Sequence, residues 1–170
     1  MKSVQNSILT ELADLKMAIE NGNDANAQTL TSNNKKVLFA AERNNSHVKK
    51  NTYITFTDTQ TNLGNGFDKD SGQFTTPTSG LYRFYISAMT DTKYWYTFIH
   101  VQKNGSNEFA IHYNNRQSKM FPHQLMAYVW TMRLTKGDTI QLKLGVRNDL
   151  YVTSNYRIFY SGELLIEDEQ

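Results

Sequence analysis

Residues 56–84 read FTDTQTNLGNGFDKDSGQFTTPTSGLYRF, and the alternation of rings and turns in that stretch decides the fold. Aromatic residues recur at Phe56, Phe67, Phe74, Tyr82 and Phe84. Between them stand the turn formers Asn62, Gly64, Asn65, Gly66, Gly72, Pro77 and Gly80. Each ring is an apolar anchor, and a turn follows it closely. That is the pattern of short strands that reverse direction often. Gly80 closes a Pro-Thr-Ser-Gly turn, where a positive φ would explain the glycine.

The pattern continues on both sides. Upstream, Val37–Ala41 is an apolar run suited to a first, buried strand, and Tyr53–Phe56 reads as the next, after a polar loop over Asn44–Asn51. Downstream, Leu81–Met89, Thr97–Lys103, Leu125–Leu134, Thr139–Leu144 and Arg157–Ile166 read as strands. Asn104-Gly105 supplies a two-residue hairpin turn. A tight hairpin there sets Phe98 opposite Ile111 and His100 opposite Phe109. Lys136-Gly137-Asp138 makes another hairpin, and Asn114–Pro122 and Asp149–Asn155 are long loops. About ten short strands with no helical crossover predict an antiparallel sandwich or jelly roll, not an α/β fold.

Residue by residue, the central stretch resembles the signature of the globular head of complement C1q, in the TNF-like superfamily. That signature asks for Phe, then Asn or Asp, then an aromatic, then Phe, then Gly-x-Tyr-x-Phe-x-aromatic. Here Phe56, Asn62, Phe67, Phe74, Gly80, Tyr82 and Phe84 fill it, and Ile86 stands at the last aromatic position. Family members commonly end with an aromatic followed by Ser-Gly-x-Leu-Leu. Tyr160, Ser161, Gly162, Leu164 and Leu165 match that ending. The resemblance covers Val37–Ile166. It implies an all-β, ten-stranded antiparallel jelly-roll sandwich over residues 36–170, assembled as a homotrimer.

Ahead of that domain, residues 3–20 read as a helix within a segment over residues 1–21. Ile8, Leu12, Leu15 and Ile19 fall on one stripe, with Glu11, Asp14, Lys16 and Glu20 mostly off it. The stripe fits either a short coiled coil or an amphipathic helix on the domain's own surface. Gly22 follows it, and residues 22–35 read as a flexible linker rich in Asn, Ala, Thr and Ser.

Composition narrows the function classes. The chain has 170 residues, a net charge of +2 and no cysteine. A domain of roughly 135 residues buries well over half of its unfolded surface, so no staple is needed. The charge is spread, which argues against nucleic acid as a partner. No apolar run approaches the ~20 residues of a membrane span, so no membrane insertion is expected. Met1 opens a polar segment, with no signal peptide visible.

Nothing in the sequence resembles a catalytic site: there is no nucleophile elbow, no phosphate loop and no thiol. The chain is read as no enzyme, with no cofactor. His47, His100, His112 and His123 read as strand or loop histidines, and Asp68 and Asp70 as a solvated turn lacking the Glu of a calcium loop. Asn44-Asn45-Ser46 and Asn104-Gly105-Ser106 form sequons but read as ordinary turn residues. Some C1q-type heads bind calcium through an Asp-Tyr pair and a downstream Gln. The corresponding residues here are His112, Tyr113 and Gln124. His112 puts an imidazole where a hard cation wants an oxygen.

Two stretches carry recognition chemistry. Tyr94 and Trp95, with Tyr96, offer ring faces for sugars, or alternatively fill the core or a subunit interface. The loop from Tyr113 through Asn114, Arg116 and Lys119 offers amides for hydroxyls and cations for carboxylates or phosphates, or is simply solvated. The resemblance implies a secreted, extracellular homotrimer. Lacking collagen repeats, the chain looks like the invertebrate members that serve innate immunity as lectins for glycans such as lipopolysaccharide, mannan or sialic acid. The alternative is a trimeric structural or TNF-like signalling protein that binds a protein.

Overall fold

Strict alternation builds the centre of the fold. In β10 (Thr139–Leu144), Ile140, Leu142 and Leu144 are buried while Thr139, Gln141 and Lys143 are half-covered. Period-2 patterning of this kind gives a strand one core face and one outer face. The structure, a computed structural model, describes residues 36–44, 47–91, 96–114, 123–145, 150–151 and 157–169, with the backbone alone at 89–91, 96–97, 113–114, 123–124 and 151. The helix and linker expected before residue 36 lie outside the described residues.

Two five-stranded antiparallel sheets face each other. The first runs β3 (Asp58–Leu63), β1 (Leu38–Asn44), β12 (Arg157–Glu167), β6 (Gly80–Asp91), β9 (His123–Leu134). The second runs β4 (Phe67–Asp68), β5 (Gln73–Thr75), β10, β7 (Tyr96–Lys103), β8 (Ser106–Asn114). A two-stranded pair, β2 (His47–Val48) with β11 (Leu150–Tyr151), forms a separate small sheet whose Val48 and Leu150 join the core. β4–β5 and β7–β8 are consecutive, but β1–β12, β12–β6, β6–β9, β5–β10 and β10–β7 join strands far apart in sequence, as a jelly roll requires.

Between the sheets lies an aromatic core. Phe39 and Phe67 stack with centroids 4.3 Å apart and planes 1° apart. Phe74, Tyr82, Phe84, Trp130 and Tyr160 extend the cluster through stacked, tilted and edge-on contacts. Every ring that opened the sequence reading is buried here, and so is Ile86. The Ile86 side chain points into the core, where an aliphatic group fills the space as well as a ring would. The Tyr82 hydroxyl donates to the Thr78 carbonyl at 2.7 Å, yet burial pushes its pKa up to about 12. Burial likewise raises Tyr160, whose hydroxyl has no hydrogen-bond partner among the described residues.

Asn62 explains its place in the signature. Its amide donates to the Phe67 carbonyl at 2.8 Å and accepts from the Phe67 N–H at 3.1 Å. One side chain thus stands in for a strand residue and closes the Gly64–Gly66 turn.

Three expectations need correction. Tyr53–Phe56 is extended, and its Ile54 and Phe56 are buried, but only an isolated Tyr53–Lys143 pairing joins it to a sheet. The strand is β3 instead, six residues long and polar except for Leu63. It is an edge strand none of whose residues is buried, so it lacks an apolar signature. The β7–β8 hairpin is tight at its tip, but its register slips at a bulge, where Glu108 is the extra residue. Phe98 therefore faces His112, and His100 faces Ala110. Gly80 has no positive φ. A Cβ there would lie 2.3 Å from the Ile166 carbonyl oxygen, so close approach of β12 is what demands glycine.

The two ends of the sandwich differ. At one end are tight turns: Gly64-Asn65, Asn104-Gly105 and Gly137 all have positive φ. Lys36 and Asp168 lie there too, since Val37 accepts from the Leu164 N–H and Asp168 donates to the Ser79 carbonyl. At the other end, Asp91 pairs with His123 and Tyr96 pairs with Asn114.

Candidate functional site

The outer face of the first sheet is the most unusual surface among the described residues. Outward-pointing positions on β1, β12, β6 and β9 line up in rows: Ala40, Ser161, Tyr85, Val129 in one, and Glu42, Phe159, Ser87, Ala127 in the next. Val129 is 54% exposed and Leu125, further along β9, 63%. Tyr85 and Phe159 are also open to solvent. Small residues at Ala40, Ser87 and Ser161 leave hollows around these rings. One, of about 360 Å³, is lined by Ala40, Gln60, Tyr85, Ser87, Phe159 and Ser161. A second, of about 210 Å³, lies between Arg83, Tyr85, Val129 and Glu163.

Charges on the rim of this face are paired within the chain. Arg83 donates to Glu163 through Nε at 2.9 Å and a terminal nitrogen at 2.6 Å. Glu42 is buried and accepts from Arg157 at 2.7 and 2.9 Å, with Asn44 and Gln60 nearby. Arg133 pairs with Asp168. The centre is apolar, and the fringe asks for no counter-charge from outside. A contiguous apolar face of this kind marks an interaction surface.

A second apolar feature is the seam between the edge strands β8 and β9. Phe109 meets Trp130 edge-on at 5.7 Å, and Tyr128 lies 6.1 Å from Phe109 and 43% exposed.

Of the recognition residues read from sequence, only the two that close β8 fall among the described residues, at the end of the sandwich opposite the tight turns, the loop end. Tyr113 and Asn114 close β8 and are described as backbone only; Tyr94, Trp95, Arg116 and Lys119 lie outside the described residues. The strand ends nonetheless root the segments 92–95 and 115–122 side by side, through the Asp91–His123 and Tyr96–Asn114 pairings. His112, from the calcium comparison, is exposed and stacks on Phe98 at 5.8 Å. No three His, Asp or Glu side chains converge on one point among the described residues. No helix among them is long and apolar enough to cross a membrane. Sequence reading missed the apolar face because its residues are scattered over four strands. The alternate positions Arg83, Tyr85 and Ser87 were the available signal.

Comparison with known proteins follows the geometry. The sequence model of the C1q domain matches residues 38–165. Complement C1q tumor necrosis factor-related protein 3 of human and of mouse is 28% identical over 109 residues, which are 64% of this chain and 43% of that protein. Among solved structures, the globular domain of zebrafish complement 1qA superposes with a TM-score of 0.64 at 17% identity, covering 78% of this chain and all of that one. Eiger TNF from S. frugiperda gives 0.58 at 9% identity, covering 79% of this chain and 96% of that one.

Proposed function

This chain belongs to the C1q domain family, and from that premise we propose that it is a secreted, trimeric pattern-recognition lectin for microbial or acidic glycans. The observation that carries the reading is the apolar sheet face around Tyr85, Val129 and Phe159. Around a threefold axis each copy presents one surface to the next and a different one to the previous. The sheet face and the Phe109–Tyr128 seam are two such surfaces. The internally paired rim favours a second copy of this chain over a charged foreign partner.

Recognition is assigned to the loop end, remote from Lys36 and Asp168. Tyr94 and Trp95 supply stacking faces, Tyr113 and Asn114 hydroxyl and amide groups, and Arg116 and Lys119 cations for a carboxylate or phosphate. Loops on a rigid sandwich are the usual seat of recognition. The protein acts by binding, not by catalysis.

Sedimentation equilibrium tests the assembly, and a glycan array with free-sugar competition tests the ligand. A trimer that binds lipopolysaccharide, mannan or sialylated glycans, and releases them to free sugar, supports the reading. A trimer that ignores every glycan and binds a protein would overturn the lectin half and keep the assembly.

A further inference from the structure

We infer that the outer face of the second sheet carries another recognition site, for an acidic sugar, centred on Lys143. The inference rests on the glycan-binding reading above, but uses none of the loop residues assigned there.

Lys143 is half-buried in the middle of β10. Tyr53 pairs with it on one side and His100 stands in register on the other. Its ammonium lies 5.6 Å from the centroid of the Tyr53 ring. That ring is itself fixed. The Tyr53 hydroxyl donates to Gln102 Oε1 at 3.1 Å, and Gln102, only 7% exposed, donates to Asn107 Oδ1 at 2.8 Å. A chain of neutral side chains therefore positions a cation that most surface lysines would trail through water.

No carboxylate among the described residues neutralises it. Lys103 on the adjacent strand is held 2.9 Å from Asp138, and Lys69 is held 2.7 Å from Asp70. Lys143 has no ion pair among the described residues. The acid nearest in register, Glu108, sits on the β8 bulge and makes none with it. A fixed cation with no ion pair among the described residues, beside a 40% exposed tyrosine and the accessible amides of Gln141 and Asn107, matches the chemistry of a carboxylated pyranose. The carboxylate meets the ammonium, the ring hydroxyls meet the amides, and the apolar sugar face meets the open part of Tyr53. A neutral sugar leaves the charge without a partner, so the site selects acidic ones.

The test titrates sialyllactose, and lactose as its neutral counterpart, into the full chain and into Lys143→Met, which keeps the packed stem and removes the charge. The parent should bind sialyllactose in preference to lactose, and Lys143→Met should lose about tenfold in affinity, the worth of one charge-assisted bond. Lys143→Arg should retain most of it. Backbone amide shifts of Tyr53, Gln102 and Asn107 in the parent should move on addition of sialyllactose, which locates the ligand even if a variant folds poorly. If the parent binds sialyllactose while Lys143→Met matches it, or the shifts are confined to residues 113–119, this site is overturned and the lectin reading stands. If the parent binds neither sugar, this site is overturned, and the lectin reading rests on the glycan array alone.

Discussion

The side chain of Asn62 and the backbone of Phe67 exchange two hydrogen bonds, at 2.8 and 3.1 Å. Asn62→Ala should cost about 1–3 kcal/mol, since it strands a carbonyl and an N–H in a partly buried turn. Asn62→Asp keeps the acceptor and loses the donor, so it should fall between Ala and the parent. Urea unfolding midpoints for the three proteins check the order.

Gly80→Val should unfold the domain or lower its melting temperature sharply, because a Cβ collides with the Ile166 carbonyl whatever the local φ. Gly80→Ala should already be destabilising. Phe74→Ala, at a ring 1% exposed, should cost about 3–5 kcal/mol. Thermal melts matching the parent for both Gly80→Val and Phe74→Ala would contradict the packing described.

Asp138 should make stability fall in acid. The Asn104 amide, the Thr135 N–H and Lys103 hold its carboxylate down to a pKa of about 2. An unfolded Asp titrates near ~3.9. The contribution is therefore present above that value and is lost as the pH falls through about 4 to about 2. Asp138→Asn should flatten this part of the curve of stability against pH between 5 and about 2, and an unchanged curve would refute the assignment.

Tyr85→Glu and Val129→Glu should each yield monomers. Both put a charge into the centre of the apolar face and leave the core untouched, so near-native melting of the monomer is expected. Deleting residues 1–34 should weaken the trimer without abolishing it. Sedimentation equilibrium decides all three, and a parent that is monomeric at every concentration would remove the premise.

Arg116→Ala should lower affinity for acidic glycans more than for neutral ones, with assembly and melting temperature unchanged. A planar guanidinium grips a carboxylate in two places, which Lys119 cannot do. If acidic glycans bind the variant as they bind the parent, Tyr94 and Trp95 become the candidates, with weak salt dependence expected.

The core was legible because each ring announces itself: Phe56, Phe67, Phe74, Tyr82 and Phe84 are all buried. Strand β10, alternating without a break, was legible for the same reason. What escaped reading depended on pairing. The polar edge strand β3 has no alternation to detect, and the bulge at Glu108 moves the hairpin register by one with no residue that marks it. Of the recognition residues, Tyr113 and Asn114, read as part of a loop, belong to strand β8, and the others lie outside the described residues. The apolar face could not be read in advance, since Ala40, Tyr85, Val129 and Ser161 become neighbours only through strand order.

That Lys36 and Asp168 both leave from the tight-turn end has a practical side. A biotin tag, a fluorescent reporter or a sensor-chip linkage joined at either terminus attaches to the jelly roll away from the roots of the 92–95 and 115–122 segments. Immobilised probes built this way leave the Asp91–His123 and Tyr96–Asn114 ends of the strands facing the analyte.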